Sequence, residues 1–353
     1  MTGSPSAIPV WVVTGPLGCG KTTLLARLLA GKPAAENWVV LLNEFTDAGI
    51  DTLTVAAAAR GAFDVRLVPG GCLCCAGEAD FRRNLQQLVD ELRPDRILVE
   101  PSGIGHPGGI VDELLAHQAA GSLKLEAVIG LLGPHDLARV TDEETVRAVV
   151  EIADVLLMSK ADLADAGHQQ QFWQLVTGSF PPKRAAACIE RGEIDDELRQ
   201  ILAGGAVELP IGYDGRIPSR PTAHADQLRH AAHHHDIATD GVMVGDGERR
   251  VFSVLGRAGV RWSFPRSVSF AESRLMAALL AEHALSKSIE RLKAVLRVGE
   301  DDWLLLQRVG DQLHMQPTAW RRDNRIELQG REGAELDVEA WENLWSRCRA
   351  VLR

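Results

Sequence analysis

Long apolar runs are missing from this chain, and so is any excess of basic residues. No stretch of the sequence reaches the roughly 20 uninterrupted apolar residues of a membrane helix, so no membrane partner is expected. Lys and Arg number 38 against 48 Asp and Glu, a formal net charge of -10. That balance removes the basic face that charge-driven nucleic-acid binding needs, so no nucleic acid is expected either. Residues 1–15 carry no cationic segment and no cleavage pattern, and neither end carries a lipidation signature, so the expected location is the cytoplasm. There is no internal repeat of the solenoid kind.

Cysteine is scarce and unevenly placed. Of six, at positions 19, 72, 74, 75, 188 and 348, three crowd into four positions, unlike the spread of a disulfide framework. In a reducing compartment such a cluster points to metal or redox chemistry.

What is present is an ordinary globular composition, 46% hydrophobic and 24% charged over 353 residues, enough for two domains with cores. Short apolar runs at 10–14, 38–42, 96–100, 127–132 and 155–159 read as buried strands, with helical patterns such as 22–30 and 81–92 between them. That rhythm predicts an α/β fold, a mostly parallel sheet flanked by helices. From about Gly204 prolines and glycines break the pattern ahead of a His-rich stretch, 224–235. Beyond it, strands at 251–255, 260–264, 289–298, 303–309 and 312–316 and a helix at 271–282 predict a smaller C-terminal α+β domain. The expected division is 1–215 for the first domain, 216–245 for a His-rich linker and 246–353 for the second domain.

The sequence Gly15-Pro-Leu-Gly18-Cys19-Gly20-Lys21-Thr22 satisfies G-x-x-x-x-G-K-[ST] directly after a strand and before an amphipathic helix, the context a phosphate-binding P-loop requires. Its glycines let backbone amides turn around phosphates, Lys21 reaches the outer phosphates and the Thr22 hydroxyl can ligate Mg²⁺. Thr23 is placed at the edge of the site, and Cys19 reads mainly as a small loop residue.

The 96–100 strand ends on Glu100, and strand ends of a parallel sheet face the ligand crevice. Glu100 is therefore expected to hold the Mg²⁺ shell or a water, and with Lys21 it is the catalytic pair. Ser159-Lys160-Ala-Asp162 resembles the N-K-x-D element of GTPases, with serine in place of asparagine. Asp162 would accept from guanine N1 and the exocyclic amine while the Lys160 stem stacks on the base. The competing reading makes Asp162 the cap of a following helix.

Cys72, Cys74 and Cys75 sit on a glycine-flanked turn between the P-loop and Glu100. Two or three thiolates and a group from elsewhere suit Zn²⁺ or another thiophilic ion. Glu44 and His106 are candidates for the remaining ligand, and so are His233 and His235 of the linker; spacing does not choose among them.

In this order the P-loop, the 43–51 segment NEFTDAGID, GGCLCC, ILVEPSGIGHP and SKAD resemble the CobW family of metal-chaperone GTPases, relatives of the HypB and UreG proteins. Arg291-Leu-Lys293-Ala294 resembles the R-x-K-G stretch of that family's C-terminal domain. Ser159, Ala294 and Thr46 depart from the family's pattern. The resemblance implies a P-loop NTPase that couples GTP hydrolysis to loading or release of a metal for a client metalloprotein. Thiol and imidazole ligands favour zinc, with cobalt the alternative, and with no arginine finger or catalytic glutamine identifiable in the sequence, slow turnover is expected. The cysteines then form the metal motif, and a homodimer is left open. Two other readings stand beside it: a P-loop small-molecule kinase with a structural cysteine cluster, and a non-catalytic metal store.

Overall fold

The computed structural model describes residues 7–42, 64–67, 78–101, 107–203, 242–254, 257–281, 283–309, 312–331 and 333–350. The chain divides into two compact units, 1–216 and 217–353.

The first unit contains a seven-stranded sheet built from β1 (Ile8–Thr14), β2 (Trp38–Leu42), β3 (Asp64–Leu67), β4 (Arg96–Glu100), β5 (Leu123–Leu132), β6 (Val155–Met158) and β7 (Ala185–Cys188). The order is β3-β2-β4-β1-β5-β6-β7, and every pairing is parallel. The central strands read as continuous Val, Ile and Leu because both faces are covered; all of β2 and β6 is buried. Helices α1 (Lys21–Ala30), α2 (Glu78–Leu92), α3 (Gly108–Ala119), α4 (Glu144–Ile152), α5 (Ala166–Gly178) and α6 (Asp196–Leu202) alternate with the strands. One core joins Trp11, Val13 and Val40 of the sheet to Leu24, Leu25 and Leu28 of α1 and to Leu198 and Ile201 of α6. A second joins Leu132 and Leu156 to Val146 and Val149 of α4 and Phe172 of α5. The fold class is the one the alternation predicts. β1 lies mid-sheet, so the loop leaving its C-terminal end sits between the ends of β4 and β5, where a ligand crevice forms.

The second unit contains a seven-stranded antiparallel sheet and helices. Its strands are β8 (Val242–Val244), β9 (Gly247–Val254), β10 (Arg257–Pro265), β12 (Ile289–Arg297), β13 (Trp303–Val309), β14 (Gln312–Pro317) and β15 (Asp323–Gly330), in the order β14-β13-β12-β15-β10-β9-β8. Short β11 (Ser269–Phe270) pairs with β16 (Arg349–Ala350), and α7 (Glu272–Ala281), α8 (His283–Ser288) and α9 (Val338–Cys348) complete the unit. Strict alternation along β15, with Asn324, Ile326, Leu328 and Gly330 buried, turns one face to a core that includes Leu275, Leu279, Trp341 and Trp345 from the helices. Ala294 belongs to that core. Lys293 lies between two of its residues, so period-2 geometry sends it to the opposite face. There burial lowers its ammonium to about 8, with Arg291 adding to the effect and Glu327 opposing it.

Candidate nucleotide site

The site is built on backbone that glycine makes available. Gly18 and Gly20 adopt φ of +78° and +101°, conformations that L side chains avoid. A Cβ on Gly15 would meet the Leu131 carbonyl oxygen at 2.4 Å and the Cys19 sulfur at 2.7 Å, so β1 can pass β5 this closely only with glycine there. The Lys21 ammonium is buried and donates to the Gly15 carbonyl at 3.0 Å and the Pro16 carbonyl at 3.1 Å. It also stands 4.0 Å from the Glu100 carboxylate, a residue 8% exposed at the end of β4. The fold thus brings the P-loop cation and the strand-end carboxylate together. Thr22 is partly exposed and Thr23 exposed, both in the first turn of α1.

Cys19 turns inward. It is fully buried within the core beneath the loop, and burial pushes its thiol up to about 11. Its backbone is bonded on both sides: the amide donates to the Pro16 carbonyl at 3.3 Å and the carbonyl accepts from the Ser159 hydroxyl.

The loop after β6 is fastened to the P-loop at two points. The Ser159 hydroxyl donates to the Cys19 carbonyl, and the Lys160 ammonium donates to the Gly18 carbonyl at 2.7 Å. Lys160 takes a left-handed conformation, φ 55° and ψ 40°, uncommon for a residue with a side chain. Asp162 is exposed in the 3-10 turn Ala161–Leu163. The helix that follows is capped by Asp165, whose carboxylate accepts from the His168 amide at 2.8 Å. The capping role weighed for Asp162 thus falls to another residue.

A further wall escaped the sequence reading: the loop between β7 and α6. The Ala161 amide donates to the Ile189 carbonyl at 3.1 Å. Gly192, at φ +74°, comes so near the start of α1 that a Cβ would lie 3.0 Å from the Thr23 carbonyl oxygen. Arg27 of α1 donates to the Arg191 carbonyl at 3.3 Å. The available signal was the short apolar run 185–188 followed by Arg191-Gly192, a strand and a turn continuing the alternation.

Residues 9–185 match the model of the CobW/HypB/UreG nucleotide-binding domain. The chain belongs to that family. Residues 260–349 match the C-terminal domain of the cobalamin synthesis protein cobW, so both units have counterparts among CobW proteins. A zinc chaperone of Escherichia coli strain K12, YeiR, is 31% identical over 323 residues, covering 90% of this chain and 91% of that protein. A second from the same organism, zinc chaperone YjiA, is 29% identical over 310 residues, 86% of each chain. The crystal structure of Zn(II)-bound YjiA GTPase from E. coli aligns over 98% of this chain and 100% of that one, with 20% identity and a TM-score of 0.44. Within a CobW-family chain, Cys72, Cys74, Cys75, Glu44, His106, His233 and His235 are the sequence's metal candidates; all seven lie outside the described residues.

Proposed function

We propose that this chain is a GTP-hydrolysing metallochaperone. It binds GTP on the P-loop, binds zinc, with cobalt as the alternative cargo, and passes the metal to a client metalloprotein. The observation that carries the nucleotide half is the joint between Ser159-Lys160 and the P-loop, which fastens the turn that bears Asp162 to the phosphate cradle. The cargo half rests on the cysteine motif and on the family's named zinc chaperones.

Gly15, Gly18, Cys19 and Gly20 offer backbone to the phosphates, Lys21 leaves the loop carbonyls to meet the outer phosphates, and Thr23 borders the site. The Lys160 stem lies along the base, and Asp162 accepts from the guanine N1–H and 2-amino groups, a donor pair adenine lacks. The Thr22 hydroxyl and the Glu100 carboxylate, 4.0 Å from Lys21, are hard oxygen donors that fit Mg²⁺; the ion would neutralise charge on the transferring phosphate. Glu100 orients the attacking water, and turnover is slow. Cys72, Cys74 and Cys75, with Glu44 or His106, take the cargo, and His233 and His235 assist its capture. Homodimerisation is compatible with this scheme, and the cytoplasm is its setting.

Phosphate release from GTP and from ATP, with Mg²⁺ or with EDTA, tests the reading. Slow, Mg²⁺-dependent release from GTP and none from ATP is the expected result. ATP preference with an acceptor-dependent burst of ADP would replace it with a small-molecule kinase.

A further inference from the structure

Position 159 is where this chain departs from the usual base-reading element. Ser159 is 4% exposed, and its amide donates to the Leu132 carbonyl at 2.9 Å, in line with the end of β5. Its hydroxyl has two acceptors within reach, the Cys19 carbonyl, which is the nearer, and the Leu132 carbonyl at 3.4 Å. A serine hydroxyl carries one proton, whereas an asparagine amide carries two. The one proton goes to the P-loop backbone.

We infer that Ser159 is a tether for the P-loop and gives no hydrogen bond to N7, on the N7 and O6 edge of the bound purine. That edge presents two acceptors, and a hydroxyl whose proton is committed to Cys19 has only lone pairs to set against them. Guanine is then selected through its N1–H and 2-amino edge by Asp162. An asparagine at 159 satisfies the Cys19 carbonyl with one amide hydrogen and has the second left for N7. A Cβ on Gly20 would lie 3.8 Å from the Ser159 hydroxyl, ordinary contact distance, so this side of the loop is not closed against a slightly longer side chain. The inference rests on the nucleotide reading proposed above and refines which atoms of the base that site recognises.

The test is competition of GDP and 7-deaza-GDP for the Mg²⁺-loaded full chain, read by displacement of a fluorescent guanine nucleotide, with ADP as control. 7-Deazaguanine keeps N1–H, the 2-amino group and O6, and replaces N7 by C–H. Wild type is expected to bind GDP and 7-deaza-GDP within about twofold of each other and to exclude ADP. Ser159→Asn is expected to prefer GDP over 7-deaza-GDP by roughly fivefold or more, the worth of one hydrogen bond. A wild-type preference for GDP of roughly fivefold or more would overturn the inference while leaving the guanine site standing, and this arm requires no variant to fold. Equal binding of the two by a folded Ser159→Asn protein would also overturn it. Failure of wild type to tell GDP from ADP would instead sink the nucleotide reading on which it rests.

Discussion

The Lys160 ammonium lies 2.7 Å from the Gly18 carbonyl, across 142 residues of chain. A P-loop and a base-reading turn belong to different strands, and each is an ordinary local structure alone. The Lys160 and Ser159 contacts join the two segments, so on the proposed reading phosphate binding and base selection share one frame. Gly18 must hold φ +78° for its carbonyl to be placed there, which ties the glycine pattern of the loop to the lysine of the turn.

Asp162 is the base selector in this account, and its chemistry can be inverted. Asparagine at 162 presents an acceptor to N1–H and a donor in place of the second acceptor, which suits the 2-oxo group of xanthine and opposes the 2-amino group of guanine. Asp162→Asn is expected to lower GTP affinity by at least about 100-fold, the loss of a charge-assisted pair, and to favour xanthosine triphosphate. Nucleotide competition checks this; unchanged GTP preference would move base recognition elsewhere.

Gly15→Ala places a methyl group 2.4 Å from a backbone oxygen of β5, and backbone cannot rotate away as a side chain can. The expected cost is about 1–3 kcal/mol of stability, seen as a lower urea midpoint, together with weakened nucleotide binding because the shift is in the phosphate loop itself. A variant with wild-type stability and affinity would mean that β1 and β5 separate freely at this point.

Cys19 gives the protein a pH signature. Burial raises its thiol from 9.0 to about 11. Below pH 9 the thiol is protonated in folded and unfolded chains alike and its contribution is intact. Between 9 and about 11 the unfolded chain ionises first, so stability falls as pH rises through that window. Urea midpoints at pH 8 and pH 10.5 should fall less in Cys19→Ala than in wild type. At pH 8 iodoacetamide should spare Cys19 in the native protein and modify it in urea. Equal pH losses in the two proteins would contradict the burial of the thiol.

Much of the first unit was legible because its signals are local. Strands 38–42 and 96–100 are found at the predicted bounds, and β1 and β5 only begin earlier, since fully buried parallel strands are unbroken apolar runs. The predicted 155–159 strand ends at Met158: the Ser159 amide still bonds the last carbonyl of β5, and left-handed Lys160 then turns the chain away. β15, central in the second sheet, was missed: its outward positions are Asp323, Arg325, Glu327 and Gln329, which dilute the apolar signal to every second residue. β7 was missed because Ala185, Ala186 and Ala187 carry little strand preference. The P-loop could be read from eight consecutive residues. The contacts of Ser159 with Cys19 and of Gly192 with the start of α1 could not, since each joins segments that only the fold brings together.

The central claim of the proposed function is that nucleotide state sets metal affinity, the GTP form binding zinc through the cysteine motif more tightly than the GDP form. The direct measurement is zinc affinity, by competition with a chromophoric chelator, for the full chain with Mg²⁺ and either GTPγS or GDP, alongside a Cys74→Ala, Cys75→Ala variant. The account predicts tight binding with GTPγS, at least about tenfold weaker binding with GDP, and loss of the tight site in the variant. Equal affinity in the two nucleotide states, undiminished by removing the cysteines, would contradict it.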